Sequence, residues 1–484
     1  MHSFAGGASE RRHGAPWSLA LAQGTFRTRT ALPIARCSLA FLVIVLALLT
    51  PSVCLASDLI PTPELRDEET GKTYEIPLAE PPAPPSIWYE WIDTVALLAG
   101  LSLASYFALV RRSRTGLFLL TIASLAWFGF WRQGCVCAIG ATQNVALALF
   151  DWEYTIPVSV VVFFALPLVF TLFFGRTFCS SVCPLGAVQE LIAIRSIQVP
   201  KWIDHSLGLI PYFYLGVAVA FAATGTAFLI CRYDPFVGFF RLSGDVSMLI
   251  FGGCILVIGL FVGRPYCRYL CPYGAILGVL SRFSKWHLRI PPEECIQCRL
   301  CEDVCPYDAI QPPTVDPPPG GRPAARRRLA LMLIAPPLLI LVGIAVGWHL
   351  PEILGKLDFT VRLATQMAAE MGGDVTETTD ATDAFRNTGQ SPATLFKQAM
   401  AHWRGYRYLG AGLGAWFGLV IGVKLIHLSI RRRRSEYAPD RGGCISCGRC
   451  FWYCPPEKVR LGLIKDVSEL VDISQLPVPA SDKT

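Results

Sequence analysis

Long apolar runs bounded by arginine set the plan of this chain. Residues 93–110, 115–131, 156–174, 207–230, 246–262, 329–348 and 408–430 are apolar stretches whose lengths approach or exceed the roughly 20 residues an α-helix needs to cross a bilayer. An earlier run, 37–56, follows Arg27, Arg29 and Arg36 and ends in Cys54-Leu55-Ala56. It reads as a secretory signal or an uncleaved anchor, after a tail (residues 1–30) without apolar periodicity. Residues 57–92 are rich in proline and read as an exported linker.

With residue 57 outside, the spans alternate in direction. Those that run inward stop at Arg111-Arg112, Gly175-Arg176, Gly263-Arg264 and Arg431 to Arg434, the bias that marks a cytoplasmic face. The expected fold is an all-α polytopic protein of the bacterial cytoplasmic membrane, with about seven transmembrane helices after the signal segment. Five spans form a core over 93–290, and the last two enclose 321–430 with an exported polar stretch, about 350–405, as a small helical cap. Composition agrees, since 53% of residues are hydrophobic and 16% charged. The net charge of +7 comes from arginines beside the runs, which points to a lipid bilayer and not to nucleic acid.

The cysteines supply the chemistry. Cys295, Cys298, Cys301 and Cys305 precede Pro306, and Cys444, Cys447, Cys450 and Cys454 precede Pro455. Both read C-x-x-C-x-x-C-x-x-x-C-P, the bacterial ferredoxin run that holds [4Fe–4S] clusters. Zinc sites more often use two separated C-x-x-C pairs. In two-cluster ferredoxins the fourth cysteine serves the other cluster. One cluster is therefore assigned to Cys295, Cys298, Cys301 and Cys454, the other to Cys444, Cys447, Cys450 and Cys305. Residues 291–320 and 431–484 then form the halves of one small α+β, bacterial-type 2[4Fe–4S] ferredoxin domain. They must share a side of the membrane, and the two spans between them return the chain to the cytosolic side.

A second pair of motifs is expected just inside the membrane. Gly175-Arg176 leads to Cys179 and Cys183-Pro184-Leu185-Gly186-Ala187, and Gly263-Arg264 leads to Cys267 and Cys271-Pro272-Tyr273-Gly274-Ala275. The repeat suggests duplication of a two-span unit. On a helix, cysteines at i and i+4 share a face, so Cys179, Cys183, Cys267 and Cys271 form a redox or metal layer or, more plainly, buried packing. A fainter copy, Cys135-Val136-Cys137-Ala138-Ile139-Gly140-Ala141, falls outside. Its cysteines form either a disulfide, with Cys231 nearby, or an outer-face redox site. Cys37 and Cys54 belong to the signal region, and Cys254 reads as packing within a span. His349, His402 and His427 read as interfacial residues, so haem is not expected.

Gly175-Arg176, Cys179, Cys183-Pro184-Leu185-Gly186-Ala187-Val188-Gln189-Glu190, Gly263-Arg264, Cys267, Cys271-Pro272 and the ferredoxin cysteines together resemble the NosR/NapH family of membrane-bound 4Fe–4S polyferredoxins. The resemblance implies electron transfer between the quinone pool and an exported reductase, with a quinol dehydrogenase role as its enzymatic form. NosR proper carries an exported flavin-binding domain where this chain has its proline-rich stretch. Two other functions fit the same residues: a cluster-based redox sensor or maturation factor, and a metal-reducing assembly ferredoxin with Cys135 and Cys137 as soft ligands.

Overall fold

The computed structural model describes residues 87–470, apart from 135–136, 153, 195, 226–227, 243–244, 291–294, 315–321, 356–357, 374, 376–377, 431–433 and 435. The signal segment, most of the proline-rich linker, and Cys37, Cys54 and Cys135 lie outside the described residues.

The chain is mostly helical. α1 (Ile87–Ser105) continues into a π-helical stretch, Tyr106–Val110, and α2 (Arg114–Ser124) into another, Leu125–Trp131. α3 (Ala138–Phe150) and α4 (Val158–Phe174) lead to two short helices, α5 (Thr177–Ser181) and α6 (Pro184–Ile192). α7 (Lys201–Leu207) and α8 (Ile210–Ala223) follow, then the short α9 (Leu229–Arg232) and α10 (Val237–Arg241). α11 (Val246–Gly259) again leads to a short pair, α12 (Pro265–Tyr269) and α13 (Pro272–Leu280). A helix followed by two short ones thus accompanies each C-x-x-x-C-P motif.

Among the described residues, five helices are long and apolar enough to cross a membrane: Trp88–Val110, Arg114–Trp131, Lys201–Ala223, Arg326–Trp348 and Pro392–Ser429. Two of the seven expected spans are shorter, Val158–Phe174 with 17 residues and Val246–Gly259 with 14. The latter rises only about 21 Å, less than the roughly 30 Å hydrocarbon core. The run expected to span 207–230 ends at Ala223, just before Gly225 takes a positive φ of 67°. The apolar helix Ala138–Phe150 was not among the expected spans, because 13 residues fall below the length that marks one.

The short helices fold back among the long ones. Ser105 Oγ lies 3.2 Å from Thr177 Oγ1, and a Cβ on Gly100 would meet the Val182 side chain at 3.6 Å. Gly100 stands eleven residues before Arg111 and seven after Asp93, about 16 Å and 10 Å along the helix. In the second repeat, Tyr273 Oη donates to Phe164 O at 2.7 Å, ten residues before the end of α4. The C-x-x-x-C-P cysteines therefore sit near the middle of the helical layer. This corrects the layer expected just inside its edge.

The ferredoxin segments close into one module. α14 (Leu300–Asp303) and β1 (Ile310–Gln311) precede the hairpin of α15 (Arg322–Trp348) and α19 (Pro392–Ser429), between which lie α16 (Pro351–Gly355), α17 (Phe359–Gly372) and α18 (Asp380–Asn387). β2 (Ala438–Pro439), α20 (Arg449–Tyr453) and α21 (Pro455–Arg460) follow. β1 and β2 pair antiparallel, with Ile310 opposite Pro439, over a shared core of Leu288, Ile290, Ile310, Tyr437 and Phe451. The module docks at the α1–α2 turn, through Arg112–Glu457 at 3.1 Å and Arg114 Nη1 to Cys447 O at 2.8 Å. α16 to α18 form a helical cap, in which the Asp358 carboxylate accepts from Tyr406 Oη at 2.7 Å and pairs with His402 Nδ1 at 3.1 Å.

Candidate functional site

The module brings together both expected sets of cysteines, crossing included. Cys454 lies within electrostatic reach of Cys298 and Cys295, and Cys301 of Cys298, Cys295 and Cys454. Cys305 stands beside Cys447, and Cys444 beside Cys447 and Cys305. Cys295, Cys298, Cys301 and Cys454 line one cavity with Ile290 and Tyr437.

The two loops share a backbone. Gln297 and Ser446, at equivalent positions, have φ of 53° and 59°, and Arg299 and Gly448 have 64° and 78°. Left-handed residues among right-handed ones turn successive N–H groups into a concave nest suited to an anion, and Ser446 N–H reaches Cys444 Sγ at 3.5 Å. Among the described residues no three His, Cys, Asp or Glu side chains converge closely enough for a single metal ion. Thiols spaced around a cavity suit a cluster, whose irons occupy separate corners, better than a zinc ion with all its thiolates at about 2.3 Å. The residues present thus fit [4Fe–4S] ligation.

Deeper in the layer the C-x-x-x-C-P cysteines form a second nest. Cys271 lies within reach of Cys267, Cys183 and Cys179, and Cys183 of Cys267, Cys179 and Cys137. The paired cysteines do not share one helix, contrary to the i, i+4 expectation. Cys179 is in α5, whereas Cys183 is the extended N-cap of α6, at φ −70° and ψ 119°. Cys271 caps α13 in the same way, at φ −68° and ψ 111°. The cause is Pro184 and Pro272, which disfavour helical backbone in the residue before them. Capping directs helix N–H groups at the thiol, with Gly274 N–H 3.2 Å from Cys271 Sγ, where the helix dipole favours negative charge.

The repeated arginines hold the nest from both sides. Arg264 is 1% exposed and Arg176 8%. Arg264 donates to the carbonyls of Cys179 and Ser180 from a left-handed backbone at φ 47°, while Arg176 Nη1 donates to Gly442 O at 3.0 Å. Gln189, fully buried, approaches Cys267 Sγ with Nε2 at 3.5 Å and accepts from Tyr266 N–H at 3.0 Å. Glu190 ties the nest to the module, pairing with Arg264 at 3.2 Å, Arg449 at 2.8 Å and Arg114 and accepting from Tyr307 Oη at 3.3 Å. Burial opposes its ionisation, but the three guanidinium groups outweigh it and hold the carboxyl well below the usual carboxylate range. The sequence displayed Gln189 and Glu190 within the motif, but their roles depend on partners more than 70 residues away.

Cys137 and Cys231 are both free thiols, not the disulfide that was one of the two readings, and Cys135 lies outside the described residues. Cys254 is exposed on α11, so it faces outward instead of packing within a span. Beside the nest lies a cavity of about 420 Å³. Cys179 and Cys267 line it on one side and Trp416, Leu419 and Val423 of α19 on the other, with Asp204, His205 and Lys424 as polar members.

A family profile described as a 4Fe–4S binding domain matches residues 156–201 and again 245–291, each match enclosing one C-x-x-x-C-P motif. A second profile of the same description matches 288–311, which holds Cys295 to Cys305. The chain is 34% identical to NirI of Paracoccus denitrificans over 266 residues, 49% of this chain and 39% of NirI. It is 29% identical to the regulatory protein NosR of Stutzerimonas stutzeri over 225 residues, 42% of this chain and 30% of NosR.

These matches support a NosR/NapH-like membrane 4Fe–4S kinship for the chain.

Another relative, YccM of Escherichia coli, is named as an electron transport protein and is 33% identical over 156 residues, 29% of this chain and 43% of YccM. The chain spans less than half the length of each of these curated relatives. No solved structure matches it. The 4Fe–4S domain matches, the module's paired cysteine sets and the apolar helices together mark an iron–sulfur protein associated with a membrane.

Proposed function

We propose that this protein relays electrons between a quinone pool and an exported redox partner, with its ferredoxin module on the cytosolic side. The observation that carries the reading is the continuity of cysteine sets from module to mid-layer. Cys295, Cys298, Cys301 and Cys454 would hold one [4Fe–4S] cluster, and Cys444, Cys447, Cys450 and Cys305 another. Cys179, Cys183, Cys267 and Cys271 would hold a further iron–sulfur group. When bound, such groups supply reversible one-electron transfer at iron.

The chain's own residues set the conditions. Arg114, Arg264 and Arg449 place three cations against a single buried carboxylate between the nest and Cys447. The excess positive charge favours added negative charge on either side. The 420 Å³ cavity falls in the size range of small-molecule sites. Trp416, Leu419, Val420 and Val423 of α19 give it an apolar stretch, as an isoprenoid quinol requires. Asp204 and His205 stand where protons released from a quinol would need acceptors. The exposed arginines Arg111, Arg326 and Arg327 at the module's end of the layer support a cytosolic module.

The test uses anaerobically purified full-length protein in lipid nanodiscs. Iron should exceed the roughly eight atoms that two [4Fe–4S] clusters hold, and a soluble menaquinol analogue should bleach the iron–sulfur absorbance. Val423→Trp, which fills the cavity from α19, should slow that bleaching at unchanged iron content. Bleaching at the wild-type rate in Val423→Trp would move the quinol elsewhere, and no bleaching by any quinol would exclude it as donor.

A further inference from the structure

The half of the layer remote from the module contains a second, altered copy of the nest. Its two segments enter from the opposite end. Cys137 follows the end of the span that begins at Arg114, and Cys231 follows the end of the span that begins at Lys201. Cys231-Arg232-Tyr233-Asp234-Pro235 repeats Cys267-Arg268-Tyr269-Leu270-Cys271-Pro272 with one residue fewer and aspartate in place of the second cysteine. Cys137-Ala138-Ile139-Gly140-Ala141-Thr142-Gln143 repeats Cys183 to Gln189 in the same register.

The structure makes the correspondence physical. Gln189 Oε1 accepts from the backbone N–H of the residue before Cys267, at 3.0 Å. Gln143 Oε1 accepts from the backbone N–H of the residue before Cys231, at 2.9 Å. Both glutamines are fully buried. Cys137 caps α3 as Cys183 caps α6, and its Sγ accepts from Gly140 N–H at 3.4 Å. A Cβ on Gly140 would lie 3.2 Å from Cys231 Sγ and 4.0 Å from Cys137 Sγ, so both thiols flank one glycine. Asp234 lines a single cavity with Cys137 and Cys183.

Asp234 also needs an explanation of its own. It is 6% exposed, and among the described residues no cationic side chain pairs with it. Its carboxylate accepts from Phe236 N–H at 2.9 Å, which a neutral asparagine could equally do. A buried carboxylate without a counter-charge is costly, and a bound cationic centre removes that cost.

We infer that Cys137, Cys231 and Asp234 are ligands of an additional iron–sulfur group with mixed thiolate and carboxylate ligation, set against the C-x-x-x-C-P nest. The inference rests on reading that nest as an iron–sulfur site. It extends the ligand sets from mid-layer toward the face opposite the module.

The experiment is peptide-resolved maleimide labelling of iron-replete, full-length protein, with iron counted in variants. Cys231 is exposed, so a free thiol there would label readily. It should instead resist labelling until acid and chelator strip the iron. Cys231→Ser and Asp234→Ala should each lower iron by the content of one group while the reduced ferredoxin EPR signals keep their intensity. Asp234→Cys, which restores the residue type of Cys271, should retain the iron. Ready labelling of Cys231 in iron-replete protein overturns the inference. So does labelling released by a disulfide reductant alone, or unchanged iron in both loss variants. Failure of the nest reading is separable by iron count, since Cys271→Ser would then keep the full iron content, whereas failure of this inference alone leaves Cys271→Ser short by one group.

Discussion

Replacing Glu190 by glutamine tests how the module is fastened to the membrane core. The substitution keeps the side chain's shape and removes the one negative charge facing three guanidinium groups. Those three do not share the loss equally. Arg114 and Arg449 have side chains 19% and 25% exposed and can turn toward water, whereas Arg264 is 1% exposed and cannot. Removing one partner of a buried ion pair costs about 3–5 kcal/mol, and Arg264 carries nearly all of it, because pairs with an exposed member are worth about 0–1 kcal/mol each. The total is a large share of the 5–15 kcal/mol typical of a folded domain. Arg460→Ala is the control: its side chain is 56% exposed in its pair with Glu457, so its loss should stay below about 1 kcal/mol. The assay is denaturant stability in nanodiscs, followed by iron–sulfur absorbance. Glu190→Gln should shift the midpoint strongly and Arg460→Ala hardly at all. Equal shifts in the two variants would refute the reasoning. Acidity should not mimic the variant near neutrality. The carboxyl's folded pKa is depressed, so its contribution is fully present above the unfolded value of about 4.3 and is lost only as pH falls through the lower folded value.

Three other outcomes are expected. Cys305→Ser should damage the cluster set of Cys444, Cys447 and Cys450 and spare that of Cys295, as resolved by EPR, whereas damage confined to the Cys295 set would break the crossed assignment. Gly414→Ala should destabilise the α15–α19 hairpin by about 1–3 kcal/mol, since its Cβ would lie 2.6 Å from the Gly343 carbonyl carbon. Gly412→Ala on the same helix meets nothing within 4 Å and should be neutral or slightly stabilising, so equal effects in a thermal assay would remove the close packing as cause. Burial, then Arg441 and Arg289, push the His287 imidazole down to about 4. Its stabilisation is present above the unfolded pKa of about 6.5 and falls as pH drops toward 4, so the module's melting temperature should decline from pH 7 to 5 in wild type and less steeply in His287→Gln.

Different parts of this architecture were legible to different degrees. The gathering of the ferredoxin cysteines into one module could be read because ligand spacing is fixed by cluster chemistry and tolerates little variation. The long spans could be read because bilayer thickness fixes their length. The depth of the C-x-x-x-C-P nest could not, since hydropathy marks a segment as apolar but does not distinguish its entering the layer from its crossing it. The placement of Cys179 and Cys183 on one helix failed on a signal that was present, because Pro184 disfavours at Cys183 the helical backbone that i, i+4 geometry assumes. The role proposed for Asp234 escaped because one deletion and one cysteine-to-aspartate change hide the repeat. The twice-occurring Cys-Arg-Tyr and the equivalent Gln143 and Gln189 were the available clues.

The arginines show how a correct pattern can rest on residues with another role. Arg176 and Arg264 stand at inward ends of apolar runs and so contribute to the charge bias, yet both are buried. A buried arginine satisfied by carbonyls and a carboxylate says little about which face is cytoplasmic, since that bias arises from charges kept out of the bilayer. The exposed Arg111, Arg326 and Arg327 remain at the module's end of the layer and support the proposed orientation without help from the motif. The Gly-Arg of each motif is then better explained by docking. Arg176 reaches the carbonyl of Gly442 in one half of the module, and a Cβ on Gly263 would lie 2.6 Å from the carbonyl oxygen of Pro306 in the other half. Each repeat thus holds its cysteines in mid-layer and, through the residues just before them, seats a different half of the ferredoxin module.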